Sequence, residues 1–281
     1  MNNFNNKVAA ITGAGSGMGQ QLAILLAKAG CHLSLSDVNE QGLAETVELL
    51  KPYPVRVTSQ KVNVADREQV KAWAADTVQN HGSVNMIFNN AGVGLAATVE
   101  GASYQDLEWI VGINYWGVVY GTKEFLPYLK QSGEGHIINT SSLFGLTAQP
   151  TQSAYNSTKF AVRGFTESLR QELDLENCGV SALCVHPGGI RTNIANAARM
   201  SDSVRSLGIN PEKSAKAFNK LLRIPAQEAA QQILDAVLKD KRRLLIGNDA
   251  KTLDIIQRLL PTGYQKITAF ATKVSKRLEA K

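Results

Sequence analysis

The sequence predicts an α/β protein, a doubly wound parallel sheet with helices on both faces, and three observations carry that prediction. Short apolar, β-branched runs alternate with longer stretches of helical periodicity as far as about residue 246. The first of these runs leads straight into a glycine-rich turn that opens a helix. The 281 residues are 44% hydrophobic and 19% charged, so there is enough apolar material for one large sheet and its covering helices.

Taken in order, residues 8–12 read as a strand, 17–29 as a helix, 31–36 as a strand, 40–51 as a helix and 55–62 as a strand. A helix over 66–80 and a strand over 84–89 follow, then a long helix over 103–130, a strand over 136–140, a helix over 152–175 and a strand over 180–185. More than thirty residues separate that strand from a helix opening at Pro225, where proline suits the first helical position. So long a connection is expected to be a lid, here 193–224, over a site. A last strand is expected at 243–246, and the helical pattern of 248–281 then forms an appendage to a domain spanning 1–247.

Charge is divided unevenly. Residues 239–281 hold eleven Lys or Arg against four Asp or Glu, a net of +7, while the whole chain carries +6, so residues 1–238 carry −1. A body without a basic face excludes a nucleic-acid partner. No apolar run reaches 18 residues and the amino terminus, Met1-Asn2-Asn3-Phe4-Asn5-Asn6-Lys7, is mainly polar where a secretory signal needs an apolar stretch, which gives the expectation of a cytoplasmic protein. Cys31, Cys178 and Cys184 form no CxxC pair and are expected to be buried, reduced thiols, with no metal site.

Two constellations carry chemistry. The turn Thr12-Gly13-Ala14-Gly15-Ser16-Gly17-Met18-Gly19 between strand and helix lets the backbone approach a pyrophosphate, whose charge meets free N–H groups at the helix start. Asp37 follows eighteen residues after Gly19, where a carboxylate accepts hydrogen bonds from a ribose 2′-hydroxyl and repels a 2′-phosphate; with no Lys or Arg beside it in sequence, the expected cofactor is NAD(H). Asp37 capping the next helix is the structural alternative. Tyr155 and Lys159 share one helical face, so the ammonium can stabilise the phenolate and lower its pKa.

These motifs, with Asn89-Asn90-Ala91-Gly92, Asn114, Ser142 and Pro187-Gly188-Gly189-Ile190-Arg191-Thr192, make the chain resemble the classical short-chain dehydrogenases/reductases over roughly residues 5 to 247. The resemblance implies a Rossmann-like seven-stranded parallel sheet in the order 3-2-1-4-5-6-7. It implies a tetrad of Asn114, Ser142, Tyr155 and Lys159: Ser142 holds the substrate oxygen, Tyr155 moves the proton, Lys159 tunes Tyr155 and binds the nicotinamide ribose, and Asn114 holds a relay water. It also implies cofactor contacts from Gly13, Ser16, Gly17, Met18, Gly19, Asp37, Asn63, Val64, Asn90, Gly92, Pro187, Gly188, Ile190 and Thr192, with Asn63-Val64 standing where many members carry Asp. Subunit pairing through the two long helices, as a homotetramer or dimer, is implied as well.

Val93, Leu95, Leu143, Phe144 and Leu146, with Met200, Leu207, Phe218 and Leu221 of the lid, are expected around the substrate, favouring a small hydrophobic alcohol or carbonyl. Arg191, Arg199 and Arg205 leave an acidic or CoA-bearing substrate open as an alternative but are expected to be solvated, and His32, His81, His136 and His186 to be structural. In the tail Ile267, Phe270, Ala271, Val274 and Leu278 recur at helical spacing beside Lys266, Lys273, Lys276 and Arg277, the pattern of a helix docked on its own protein or of one lying on an anionic membrane. The expected function is an NAD(H)-dependent oxidoreductase interconverting a hydrophobic secondary alcohol and a ketone or aldehyde. The alternatives are the same chemistry on a lipid at a membrane surface and an NAD(H)-binding sensor or scaffold without turnover.

Overall fold

Alternation along each strand sorts the core into two layers. In strand β1, Val8–Thr12, Ala9 and Ile11 join one apolar cluster while Ala10 joins the other, as period-two side-chain placement requires. The same split recurs at Met86 and Phe88 against Ile87, and at Leu183 and Val185 against Ala182. Both faces are therefore covered, the condition under which purely parallel sheets occur. This computed structural model describes all residues except 196, 212, 214–218, 220, 221, 280 and 281, and the side chains of all but these, 195 and 274–279.

The other strands of this seven-stranded sheet are β2 (His32–Asp37), β3 (Val57–Lys61), β4 (Met86–Asn89), β5 (Gly135–Thr140), β6 (Val180–Pro187) and β7 (Arg243–Ile246). All pairings are parallel and the order is 3-2-1-4-5-6-7, as the resemblance implies. Helices α1 (Gly17–Lys28), α2 (Glu40–Leu50) and, later, α7 (Ala226–Leu238) contribute Leu22, Leu43 and Ile233 to one cluster. From α3 (Arg67–His81) and, beyond the short α4 (Tyr104–Val111), α5 (Gly117–Gln131) and α6 (Ser153–Glu176) come Trp73, Phe125 and Leu169 of the other. Strand order reverses between β1 and β4, which opens a crevice at their carboxyl ends.

Two expectations differ from the structure, the helix over 103–130 and the start at Pro225, while the helical tail is resolved into its parts. The long helix over 103–130 is α4 and α5 joined by a π-turn, Gly112–Trp116, in which Gly117 N–H reaches back to Gly112 O. Gly117 permits the close approach there, since a Cβ would come 2.8 Å from Val64 Cγ2. Pro225 is the cap residue, with α7 beginning at Ala226. The tail is two helices, α8 (Asn248–Leu259) and α9 (Tyr264–Glu279), separated around Pro261. The lid residues Phe218 and Leu221 lie outside the described residues, as do the side chains of Val274, Lys276, Arg277 and Leu278.

Cys31 and Cys184 are fully buried, which pushes each thiol up to about 12 and leaves it inert, whereas Cys178 is only half-buried. Among the described residues no helix is long and apolar enough to cross a membrane, and no group of three or more His, Cys, Asp or Glu is placed to hold a metal ion.

Candidate active site

At the switch point Thr12 Oγ1 accepts hydrogen bonds from Asn90 N–H and Ala91 N–H, both at 3.0 Å, and Asn90 Nδ2 donates to Thr12 O at 3.1 Å. These bonds tie the glycine turn to the end of β4. Gly13 and Gly17 have φ of +66° and +54°, and a Cβ on Gly19 would stand 2.0 Å from Gly13 O, so the turn needs glycine at these positions. Ser16 occupies the cap position of α1 without using its side chain to cap, and is exposed. Met18 behind it is half-buried. This leaves the first-turn N–H groups of α1 without a side-chain cap, available as anion donors.

Asp37 ends β2 and closes the other side of the turn: Oδ2 accepts from Gly15 N–H at 2.8 Å and Oδ1 from Asn39 N–H at 2.9 Å. The cap of α2 is Asn39, whose Oδ1 accepts from Gly42 N–H, so Asp37 is not the helix cap of the structural alternative. Sequence reasoning missed Lys61, the cross-strand neighbour of Asp37, whose Nζ is paired with Glu40 at 2.7 Å. Asn63 is exposed with Oδ1 accepting from Ala65 N–H, while Val64 is buried under Gly117.

On the far side of β4 the four expected polar residues converge. Lys159 Nζ lies 5.7 Å from the Tyr155 ring centroid and donates to Thr140 O at 3.0 Å, with Gly92 beside it: a Cβ there would stand 3.4 Å from Nζ and 3.3 Å from Asn114 Oδ1. Asn114, on the π-turn and fully buried, accepts from Val93 N–H at 2.8 Å and donates to Val93 O at 2.9 Å. Ser142 Oγ accepts from Phe144 N–H at 3.1 Å and faces the Tyr155 phenol closely enough to pull its pKa down. Burial outweighs that pull and raises the phenol above its ordinary value. The expected lowering by Lys159 is not seen: burial and the Ser142 bond set the phenol's pKa, and burial also depresses the ammonium, to about 8.

A loop supports this side of the site. Ile190 is buried and pairs with Ile224, Pro187 ends β6 against Ile246, and Gly188 N–H bonds Ile246 O at 2.9 Å. Thr192 packs on the glycine turn, 3.0 Å from where a Gly17 Cβ would be. Between them lies a cleft of about 470 Å³ lined by Gly17, Arg191, Thr192, Asn193, Asn219 and Leu222. A short chain dehydrogenase family model matches residues 7–203.

The chain belongs to the short chain dehydrogenase family. It is 44% identical over 270 residues, 96% of both chains, to SadH of Mycobacterium tuberculosis (strain ATCC 25618 / H37Rv), a protein named as an oxidoreductase. It is 31% identical over 248 residues, 88% of this chain and 93% of the other, to a cyclohexanol dehydrogenase of Acinetobacter sp. (strain SE19). Among solved structures it is similar to a short chain dehydrogenase/reductase of Burkholderia phymatum in complex with NAD, with a TM-score of 0.85, 29% identity and coverage of 94% of this chain and 97% of that one. The motifs sit at the carboxyl edge of the sheet.

Of the residues that support the site of this short chain dehydrogenase, His186 was expected to be structural, while Asn156 and Ser141 were not picked out from sequence. Asn156, buried on α6, donates to Phe144 O and Thr147 O, both at 2.9 Å, and so fixes the loop after Ser142. Ser141 Oγ donates to Lys159 O at 2.7 Å, and His186 Nδ1–H donates to the Ser142 carbonyl at 3.0 Å. Burial holds His186 neutral, with its pKa lowered to about 4. A polar residue next to a motif was the only signal available for these. Of the expected pocket residues, Val93, Leu143, Phe144 and Met200 are half-buried, Leu95 and Leu146 are core, and Leu207 is exposed. Arg199 is not simply solvated: it pairs with Asp106 at 2.8 Å and stacks 3.8 Å over Trp109, pinning the segment after the site to α4.

Proposed function

We propose that the protein is an NAD(H)-dependent alcohol dehydrogenase or carbonyl reductase acting on a hydrophobic secondary alcohol or its ketone or aldehyde. The observation that carries this reading is the meeting of Ser142, Tyr155 and Lys159 beside a glycine cradle that Asp37 closes. The cradle fits a dinucleotide: glycines where a Cβ would block the turn, an uncapped helix start for the pyrophosphate and a carboxylate for the adenosine ribose. The NAD complex of the Burkholderia relative supports the cofactor. The half-buried apolar Val93, Leu143 and Phe144, together with the similarity to a cyclohexanol dehydrogenase, support the substrate class.

Bound nicotinamide supplies or accepts the hydride. Ser142 Oγ holds the substrate oxygen against the Tyr155 hydroxyl, and Tyr155 gives that oxygen a proton during reduction or removes one during oxidation. Its raised pKa keeps the phenol protonated near neutrality, which suits the reducing direction. Lys159, held by Thr140 O and backed by Gly92, steadies the charge when the phenolate forms and meets the nicotinamide ribose. Asn114 fixes the backbone at Val93, and by family analogy is where a relay water would attach. Asn63, Val64, Asn90, Gly92, Pro187, Gly188, Ile190 and Thr192 border the cofactor. Residues 1–247, with the lid 193–224, form the catalytic domain. The protein works as a homo-oligomer through α5 and α6, on whose neighbourhood Trp116 and Phe160 are exposed.

The test is a panel of hydrophobic ketones and secondary alcohols with NADH or NAD, followed at the nicotinamide absorbance, with Tyr155→Phe alongside. The variant is expected to lose nearly all turnover while NADH affinity stays close to wild type. Confirmed NADH binding with no turnover on a broad panel would return the reading to a sensor or scaffold.

A further inference from the structure

The segment beyond residue 247 lies outside the family match, yet it reaches the loop that borders the cleft. Asp249, in the first turn of α8, accepts from Gly189 N–H through Oδ2 at 2.7 Å and from Ala250 N–H through Oδ1 at 2.9 Å. Two glycines make room for that carboxylate. A Cβ on Gly188 would stand 2.1 Å from Asp249 Oδ1, and one on Gly247, which has φ +96°, would stand 2.3 Å from it. The turn is held from other directions too, because Gly189 O accepts from Arg223 N–H at 2.9 Å and from Ile224 N–H at 3.0 Å. Three residues further on, Thr192 touches Gly17 of the cradle, so a shift of Gly189 is passed along a short, stiff path to the cleft.

A carboxylate on a main-chain N–H is a charge-assisted bond, stronger than a neutral one. We infer that Asp249 is a positioning residue for the 187–192 loop and so sets the grip of this chain on the nicotinamide end of the cofactor. The inference rests on the cofactor reading above. Asp249 touches neither cofactor nor substrate; it acts through Gly189. Tyr264, at the start of α9, supplies the contrast: it is buried and its hydroxyl accepts from Ala148 N–H at 3.2 Å, on the loop after Ser142.

The experiment compares wild type, Asp249→Asn, Asp249→Ser and Tyr264→Phe by NADH fluorescence titration and by hydrogen exchange of the protein without added cofactor. Asp249→Asn keeps the volume but turns one acceptor into a donor facing a donor; it is expected to weaken NADH binding about tenfold or more and to speed exchange at the Gly189 amide. Asp249→Ser, which keeps an acceptor on a shorter arm, is expected to fall between it and wild type. In Tyr264→Phe, NADH affinity and Gly189 exchange are expected to match wild type. Equal weakening in Tyr264→Phe would overturn the assignment, since α8 and α9 would then act through general stability. So would Asp249 variants with wild-type affinity and exchange. A wild type that binds no NADH overturns the cofactor reading and this inference with it.

Discussion

Asp37 closes the glycine turn through Gly15, and in the proposed reading the same carboxylate would meet the adenosine ribose. A 2′-phosphate there would bring like charges together, and the neighbouring positive charge of Lys61 is already engaged by Glu40. Val38 beside it is 59% exposed, so an arginine at that position has room to reach a phosphate. Asp37→Ser combined with Val38→Arg is expected to move the ratio of kcat/KM values toward NADPH, as measured by initial rates with each cofactor. Use of NADPH and NADH alike by the wild type would remove Asp37 from the ribose. Lys159 gives a second residue-scale prediction. Its pKa of about 8 means that the ammonium is lost as pH rises through that value, so carbonyl reduction is expected to be steady near neutrality and to fall above it. Lys159→Ala should lose both turnover and NADH affinity, read by the same assays.

At the scale of elements, the site depends on backbone approaches that tolerate no side chain. Gly19→Ala would set a Cβ against Gly13 O, a main-chain atom that no rotamer change can move aside, so α1 must shift from the cradle. Loss of measurable NADH binding together with a lowered Tm is the expected outcome, checked by titration and thermal melting. The tail has an analogous anchor. Tyr264 is 7% exposed and bonded to Ala148, while Ile267 and Phe270 further along are 50% and 69% exposed. Deleting residues 264–281 is expected to lower Tm by several degrees, through loss of the Tyr264 packing, and vesicle sedimentation of the full chain and the truncation tests the membrane alternative directly.

Across the whole molecule, buried histidines link stability to pH. His136 and His186 are almost fully buried and their pKa values fall from 6.5 to about 4. The unfolded chain therefore takes up these protons first as pH drops. Their contribution is complete above about 6.5 and is lost toward 4, at up to about 1.4 kcal/mol per pH unit for each. Asp106, Glu134, Asp174 and Asp240, all held below the usual carboxylate range by basic partners, add loss of the same sign at still lower pH. Chemical denaturation between pH 7 and 4.5 is expected to show falling stability, with His186→Asn flattening part of the slope.

The sequence by itself determined the alternation of strands and helices, the glycine cradle and the shared face of Tyr155 and Lys159, because each is written in local terms: two-residue alternation on a strand, glycines where a turn demands them, Tyr and Lys one helical turn apart; the strand order and the places of Asn114 and Ser142 came from the family resemblance. It misjudged the helix over 103–130, since a π-turn leaves no mark on the apolar periodicity, and it treated Arg199 as solvated because Asp106 and Trp109 are nearly a hundred residues away in the chain. Tertiary structure alone decided the balance of pKa values at Tyr155 and Lys159, where burial outweighs the pairing that spacing proposes. It alone brought Asp249 onto Gly189, Lys61 beside Asp37 and His186 onto the Ser142 carbonyl. Those contacts join segments that only the parallel sheet makes neighbours, and no spacing along a chain encodes which strands will lie side by side.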